Sequence, residues 1–126
     1  MKQYDMIEAE DNYDMALEWI RAREYEKAEL CLKTTLRLNP KFVYAYITLS
    51  NLFKKKKDYS NAINALKTGY HHDPGFDRLL YLMAKCAYRA GDYQGALRYI
   101  ERAREQSDCS LYEKSEAIIR RVWSKG

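Results

Sequence analysis

Helix-breaking residues are scarce in this sequence, whose 126 residues include only five glycines and two prolines. Charged residues make up 32% of the chain and hydrophobic residues 47%, which excludes a disordered or fibrous protein. A chain of this length forms one domain, because it is too short for two independent hydrophobic cores. The composition therefore predicts a single ordered domain in which helix predominates.

Cysteine is also scarce, and Cys31, Cys86 and Cys109 form no CxxC pair. An odd number of thiols argues against a disulfide framework and against a zinc knuckle. Residues 1–11 carry acids where a secretory signal has its apolar stretch. The longest uncharged stretch, residues 42–53, is shorter than the roughly 20 apolar residues of a membrane span. We expect a cytoplasmic protein without a membrane span, unless the chain is a domain of a longer secreted protein.

Motifs for catalysis and cofactor binding are missing, since HExxH, GxSxG and the Walker loop do not occur. Cys31 and Cys86 fall at helix positions that are expected to pack in the core. His71 and His72 offer metal-ligand atoms, but adjacent side chains on a helix point about 100° apart, and the set of ligands is incomplete. The sequence predicts no enzyme, no catalytic residue, no cofactor and no metal site.

Charge is distributed unevenly along the chain. Residues 1–30 contain four basic and nine acidic residues, whereas residues 31–126 contain 18 basic and nine acidic ones. The net charge of +4 therefore combines an acidic start with a basic remainder. Such asymmetry can steer partners or direct self-association.

The sequence does contain a repeat with a period of 34 residues, and four sets of equivalent positions show it. Within each period, apolar residues recur at three- and four-residue spacing, as at Met15, Trp19 and Ile20, and this spacing predicts helices. Polar breaks divide each period into two helices. The repeated positions are Tyr25, Tyr59 and Tyr93; Ala28, Ala62 and Ala96; Leu32, Leu66 and Ile100; and Pro40, Pro74 and Asp108.

The residues of one period resemble a known repeat. Residues 44–53, then Asp58-Tyr59, Ala62 and Asp73-Pro74, follow the order aromatic, Leu, small, aromatic, Ala and Pro of the tetratricopeptide repeat. The resemblance covers residues 9–108. It implies an all-α fold, a right-handed superhelical solenoid of three helix-turn-helix repeats followed by a C-terminal capping helix, with seven helices in total.

The resemblance also gives expected limits within a single domain, 1–126. Small residues at Ala16, Ser50 and Ala84 are expected to let the helices of each repeat approach closely. The expected segments are an N-terminal extension of the first helix at 1–8, repeats at 9–42, 43–76 and 77–110, and the capping helix at 111–126. One apolar face of that helix is predicted from Leu111, Ser115, Ile118, Ile119 and Val122, with Trp123 beside it.

In tetratricopeptide arrays the first helices of successive repeats line a concave groove that binds peptides. The resemblance therefore implies a protein-interaction scaffold or adaptor with a groove that is aromatic and basic. Tyrosine suits such a groove because it offers a broad apolar face and a hydroxyl that can stay hydrated. We expect the partner to be a protein or peptide with apolar anchors and some acidic residues. The expected groove residues are Tyr13, Leu17, Tyr44, Ile47, Thr48, Asn51, Lys54, Arg78, Tyr81, Lys85, Tyr88 and Arg89, with Ile20, Arg21 and Leu82 beside them.

One subclass of this family binds the acidic C-terminal tails of heat-shock chaperones through a clamp of Lys, Asn and Arg side chains. A clamp that buries two carboxylates needs several fixed donors at once. Only one of the five matching positions fits, so the sequence argues against this clamp. Those positions hold Tyr13, Leu17, Thr48, Arg78 and Leu82, and Arg78 is the one that fits.

The four consecutive lysines from Lys54 to Lys57 could form a phosphate-binding stripe. They fall in the last turn of a helix and the following loop, where cations interact favourably with the helix dipole and otherwise stay solvated. No nucleic-acid-binding motif accompanies them. Nucleic acid is therefore not the expected partner.

A structural or self-assembling module is the alternative function. The acidic first repeat of one copy would then meet the basic third repeat of another, or the capping helix would dock in a neighbour's groove. The charge asymmetry leaves such a homo-oligomer open.

Overall fold

Seven α-helices joined by short connections form the computed structural model, which describes residues 3–125. This part of the chain contains no β-strand. Each helix packs against the next one along the chain, as in a solenoid of stacked hairpins. The all-helical prediction and the predicted number of helices are confirmed. The helices are α1 (Gln3–Arg21), α2 (Tyr25–Leu38), α3 (Val43–Lys55), α4 (Tyr59–His72), α5 (Arg78–Arg89), α6 (Tyr93–Gln106) and α7 (Ser110–Lys125).

Three hairpins, formed by α1 with α2, α3 with α4 and α5 with α6, precede the capping helix α7. Each hairpin overlaps one of the expected repeats. The exact repeat limits stay a prediction, and residues 1, 2 and 126 of the expected segments lie outside the described residues. No helix in the described part of the chain is both long and apolar enough to cross a membrane.

The same backbone turn closes all three hairpins. Arg23, Lys57 and Gly91 lie 34 residues apart and have φ angles of 62°, 60° and 83°. After each of them, the next N–H donates to the carbonyl oxygen five residues earlier, at 2.8, 2.9 and 2.9 Å. This bond satisfies a carbonyl that the helix end leaves without a partner. Because positive φ suits glycine best, the third hairpin has the favoured residue.

Aspartate side chains cap the second helix of two hairpins. Asp58 accepts a hydrogen bond from the N–H of Asn61 at 3.2 Å, and Asp92 accepts one from the N–H of Gly95 at 3.0 Å. Such caps satisfy N–H groups that the first turn of a helix leaves free. Glu24 holds the same place before α2, but its side chain makes no capping bond to the described residues. The second helix of the first hairpin therefore begins without this support.

The hydrophobic core of the described residues consists of two clusters. One lies among α1, α2 and α3 with Ala65 of α4, and the other joins α4, α5, α6 and α7. Ala28, Ala62 and Ala96, which share one register of the repeat, are completely buried. Ala16, Ser50 and Ala84, the small residues expected between the helices of each repeat, are buried as well.

Gly69 marks the closest approach between α3 and α4. A β-carbon on Gly69 would lie 3.1 Å from Cβ of Tyr46, which is tighter than ordinary packing. The Tyr46 hydroxyl donates to the carbonyl oxygen of Pro40 at 2.8 Å, so both ends of this side chain are fixed. Thr35 and Ala103 hold the register of Gly69 in the other hairpins. The second hairpin thus combines a bulky residue on one helix with glycine on the other.

The capping helix α7 contacts the core through a different face from the one predicted. Tyr112 and Ile119 are its buried residues, whereas Leu111 and Ile118 are 47% and 44% exposed. The Tyr112 hydroxyl donates to Oδ2 of Asp77 at 2.5 Å. This bond holds the Tyr112 side chain against the core. The predicted apolar face did not include Tyr112. The predicted apolar face is therefore wrong for Leu111 and Ile118 and correct for Ile119.

Candidate functional site

Two cavities open side by side along the first helices of the hairpins. The larger, about 600 Å³, lies among α1, α3 and the end of α5, and we call it the central cavity. The smaller, about 260 Å³, lies among α5, α6 and α7, and we call it the terminal cavity. Arg89 lines both cavities. The two cavities therefore adjoin at Arg89.

Eight of the twelve expected groove residues line these cavities. They come from α1, α3 and α5, as expected for the first helices of three hairpins. Ile20 also lines the central cavity. The central cavity includes Leu17, Thr48, Asn51 and Lys54, the terminal cavity includes Tyr81, Lys85 and Tyr88, and Arg89 belongs to both.

Tyr13 supports the central cavity from beside it. Its hydroxyl oxygen lies 2.9 Å from Oγ1 of Thr48, and one of the two donates a hydrogen bond to the other. The Tyr13 ring packs 4.8 Å from the ring of Phe42. These contacts join α1 to α3, so the Tyr13 hydroxyl already has a partner within the protein.

The other expected residues lie outside both cavities. Tyr44 is 60% exposed, and Arg78 is exposed at the start of α5. Ile47 is half-buried and packs against the core. Leu82 is buried, which explains why it cannot serve as a groove contact. Arg21 is exposed and pairs with an acid one turn earlier on α1.

The terminal cavity has apolar walls with cations at its edge. Its walls include the side chains of Tyr81, Tyr88 and Ile118. The Lys85 Nζ lies 5.4 Å from the centre of the Tyr81 ring, where the face of the ring attracts a cation. The Tyr88 ring lies 5.5 Å from that of Tyr93, which fixes its position. This arrangement can accept an apolar group close to a negative charge.

Three cations converge where the two cavities meet. Burial lowers the pKa of Lys54 below its ordinary value, and the charges of Arg89 and Lys85 lower it further, while Cys86 acts in the opposite direction. Like charges disfavour one another when they are close and partly removed from water. Lys54, Lys85 and Arg89 therefore form one electrostatic group, which we call the cation cluster.

The cation cluster has no acidic partner among the described residues. The ion pairs there involve four acids, Glu18, Glu29, Glu101 and Glu116, and none of them pairs with the cluster. A partly buried positive charge is stabilised by a nearby anion. The junction of the two cavities is thus suited to a negatively charged ligand group.

Of the lysines that follow Lys54, Lys55 also lines the central cavity, whereas Lys56 lines neither cavity. The Lys55 Nζ lies 5.2 Å from the centre of the Tyr25 ring, and Lys56 pairs with Glu29 at 3.4 Å. The run of lysines is therefore divided among different surroundings. It forms no single phosphate-binding stripe.

The histidine pair before Pro74 makes packing contacts. The His72 ring stacks 6.0 Å from the Tyr46 ring, and the His71 ring meets His72 edge-on at 5.6 Å. Within the residues that the structure describes, no group of three or more His, Cys, Asp and Glu side chains is placed to hold a metal ion.

Residues of α7 form part of the site, although the sequence assigned this helix only a capping role. Ser115, Ile118 and Ile119 line the terminal cavity together with Ile100 of α6. These residues could have been predicted by treating α7 as equivalent to α1, α3 and α5, because α7 follows α6 as the first helix of a further hairpin would. The aliphatic wall of the terminal cavity was missed for this reason.

A match to a family model identifies the repeat. Residues 53–119 match the model described as tetratricopeptide repeat. The chain belongs to the tetratricopeptide repeat family. Mouse (Mus musculus) tetratricopeptide repeat protein 16 is 29% identical over 92 residues, which cover 68% of this chain. They cover 12% of the mouse protein, so the chain spans about an eighth of that relative's length.

Solved tetratricopeptide structures share the fold of this chain. The N-terminal domain of stress-induced protein-1 from C. elegans superposes with a TM-score of 0.88 at 10% identity, covering 94% of this chain and 99% of that domain. The Yersinia enterocolitica type III secretion chaperone SycD, in complex with a peptide of the translocator YopD, superposes with a TM-score of 0.78 at 18% identity, covering 88% and 91%. Tetratricopeptide arrays are protein-interaction scaffolds with extended binding surfaces.

Proposed function

We propose that this tetratricopeptide domain binds a peptide segment of a partner protein along the central and terminal cavities. One observation supports the proposal: the two cavities adjoin at Arg89 and together are bordered by α1, α3, α5 and α7. An extended peptide can use such adjoining cavities, because its side chains contact the domain over several residues.

Fixed side chains in and beside the cavity walls support a binding surface that is already formed before a ligand binds. Tyr13 and Thr48 are joined by a hydrogen bond, and Tyr88 packs against Tyr93. Side chains that are already fixed lose little conformational entropy when a ligand binds. SycD has a similar fold, and its structure contains a peptide of the translocator YopD. This likeness supports peptide binding as the use of the fold here.

A peptide selection tests the proposal directly. A random dodecapeptide library displayed on phage is selected on the wild-type domain, and the enriched peptides are synthesised with a fluorescein label. Their dissociation constants are then measured by fluorescence anisotropy. Two variants block the cavities: Asn51→Trp fills the central cavity and Ser115→Trp fills the terminal cavity. We expect each peptide to bind at least one of these variants roughly tenfold or more weakly.

Asn64→Trp provides the matched control, because Asn64 is exposed on α4 and lines neither cavity. This variant should bind the selected peptides like the wild type, and all three variants should keep the helical circular dichroism signal. Peptides that bind the wild type and both blocking variants equally well would show that the two cavities are not the binding site.

Self-association is a second candidate, which the surface of α1 favours. Met6, Ile7 and Met15 are 52%, 55% and 51% exposed, although they are large apolar side chains on one helix. Six acids share this helix with a single base, Arg21. An acidic helix with exposed apolar side chains suits the basic end of a second copy.

A further inference from the structure

The cation cluster limits what can occupy the junction of the two cavities. Lys54, Lys85 and Arg89 have no acidic partner among the described residues. Lys54 is half-buried, so water compensates its charge only in part. A ligand that places a negative charge at this point relieves the repulsion among the three cations.

The terminal cavity limits what lies next to that charge. Its volume of about 260 Å³ is smaller than the ~300–1,000 Å³ of pockets that enclose a whole small molecule. It is therefore suited to a single side chain. Tyr81, Ile118 and Ile119 give it apolar walls, whereas Lys85 and Arg89 also line it. The apolar position and the charged position are thus within the reach of neighbouring residues of one ligand.

We propose that the domain recognises a two-part peptide motif, in which an anionic side chain binds the cation cluster and a large apolar side chain fills the terminal cavity. This motif rests on the proposed peptide-binding function and specifies its ligand. In an extended peptide, residues i and i+2 point to the same side and lie about 6.6–6.8 Å apart. The two side chains are therefore separated by no more than two positions in the ligand sequence.

The anion can be a carboxylate or a phosphorylated side chain, since both offer oxygen atoms that accept hydrogen bonds from Lys and Arg. A single-stranded nucleic acid fits less well. It requires a basic track for several phosphates together with aromatic platforms for the bases. Lys55 lines the central cavity but lies over the Tyr25 ring, and Lys56 pairs with Glu29.

The test uses the fluorescein-labelled peptides obtained by selection on the wild-type domain. We expect them to share an acid within two positions of Leu, Ile, Met, Phe, Tyr or Trp. Replacing that acid by its amide, or the apolar residue by Ala, should weaken binding roughly tenfold. A phosphoserine in place of the acid distinguishes the two anions, because it restores or exceeds the affinity only if the cluster accepts a phosphate.

Charge reversal within the domain locates the anion. Arg89→Glu and Lys85→Glu should each weaken binding roughly tenfold or more. Lys67→Glu is the matched control, because it changes the net charge equally at an exposed position on α4 and should leave affinity unchanged. A peptide with Lys in place of its acid should regain affinity for Arg89→Glu. Circular dichroism melting confirms that each variant is folded.

The outcomes separate this motif from the general function. If Ser115→Trp abolishes binding but Arg89→Glu and Lys85→Glu do not, the groove binds peptides and the two-part motif is wrong. If dT12 oligonucleotide displaces the peptide at lower concentration than the unlabelled peptide does, the cluster is a nucleic-acid contact and the motif is again wrong. Recovery of binding by the charge-swapped pair supports the motif.

Discussion

Arg23 and Lys57 hold a backbone conformation that costs an L-residue with a β-carbon roughly 1–2 kcal/mol. Each ends the first helix of a hairpin, and Gly91 does the same in the third hairpin. The positions of these breaks followed from the sequence period, but the positive φ did not. Arg and Lys do not favour positive φ, so these residue types do not indicate the conformation. It occurs together with the hydrogen bond that the following N–H donates.

Replacing Lys57 by Gly should stabilise the domain. Glycine adopts positive φ without steric cost, and the gain is partly offset by the greater freedom of glycine in the unfolded chain. We expect the free energy of unfolding to rise by about 0.5–1 kcal/mol, measured by urea denaturation monitored by circular dichroism.

Gly91→Ala is the reciprocal control for this prediction. Apart from the two chain neighbours, no heavy atom of the described residues lies within 4 Å of a β-carbon placed on Gly91, so the positive φ is what opposes the substitution. This variant should lose stability where Lys57→Gly gains it. Equal effects of the same sign from the two substitutions would contradict the role assigned to the turn.

Among the helices, α7 is attached to the core through Tyr112 and Ile119, and Tyr112 also makes a hydrogen bond to the residue before α5. Tyr112 is buried against Tyr81, with their rings 5.4 Å apart, and its hydroxyl donates to Asp77. The sequence predicted the helix but not its orientation. The connection before α7 contains three residues, 107–109, whereas those before α3 and α5 contain four and five. The shorter connection changes the position at which α7 begins relative to the repeat.

Removing the hydroxyl with Tyr112→Phe should weaken the attachment of α7. The Asp77 carboxylate then loses a donor, and a hydrogen bond of this kind contributes about 0.5–1.5 kcal/mol. Burial raises the pKa of Tyr112, and the hydrogen bond to Asp77 raises it further. The bond therefore stabilises the fold fully below the unfolded tyrosine pKa of about 10, and its contribution decreases as the pH rises above that value.

The stability difference between wild type and Tyr112→Phe should thus be constant near neutral pH and should decrease at more alkaline pH. Urea denaturation at a series of pH values measures it. Tyr44→Phe is the control, because Tyr44 is 60% exposed and its variant should match the wild type. A difference that does not change up to the alkaline limit of folding would refute the proposed role of the bond.

Over the whole molecule, the fold could be predicted because period, helical spacing and residue type agree in all three repeats. Much of the candidate site followed as well, since the first helices of stacked hairpins border the same side. Arg89, at the junction of the cavities, was among the residues expected in the groove. The aliphatic contribution of Ile118 was not predicted, because α7 was interpreted as a cap and not as a further first helix that borders the same side.

The uneven charge leads to a prediction about assembly. The acidic α1 of one copy should contact the basic C-terminal end of another, where Trp123 is 44% exposed on α7. A head-to-tail contact leaves one free surface at each end of the assembly until a ring closes, so a series of oligomers should form. Sedimentation velocity should show them at about 50 mM salt, and they should dissociate at about 500 mM salt, where charges are screened.

Met15→Lys should abolish these oligomers, because it replaces an exposed apolar side chain of the acidic helix α1 by a cation that repels the basic end of the second copy. Leu30→Lys is the control, since Leu30 is exposed on α2 and carries the same chemical change. A protein that stays strictly monomeric at high concentration in low salt would rule out this assembly.

The contact between Tyr46 and Gly69 determines which repeats can be exchanged. Thr35 or Ala103, transplanted to the position of Gly69, would bring a β-carbon against the Tyr46 ring. Tyr46 and Gly69 therefore have to be kept together or replaced together. A chimaera built by shuffling single helices among the repeats should fold poorly unless α3 and α4 move as a pair, whereas exchange of whole hairpins keeps the pair intact.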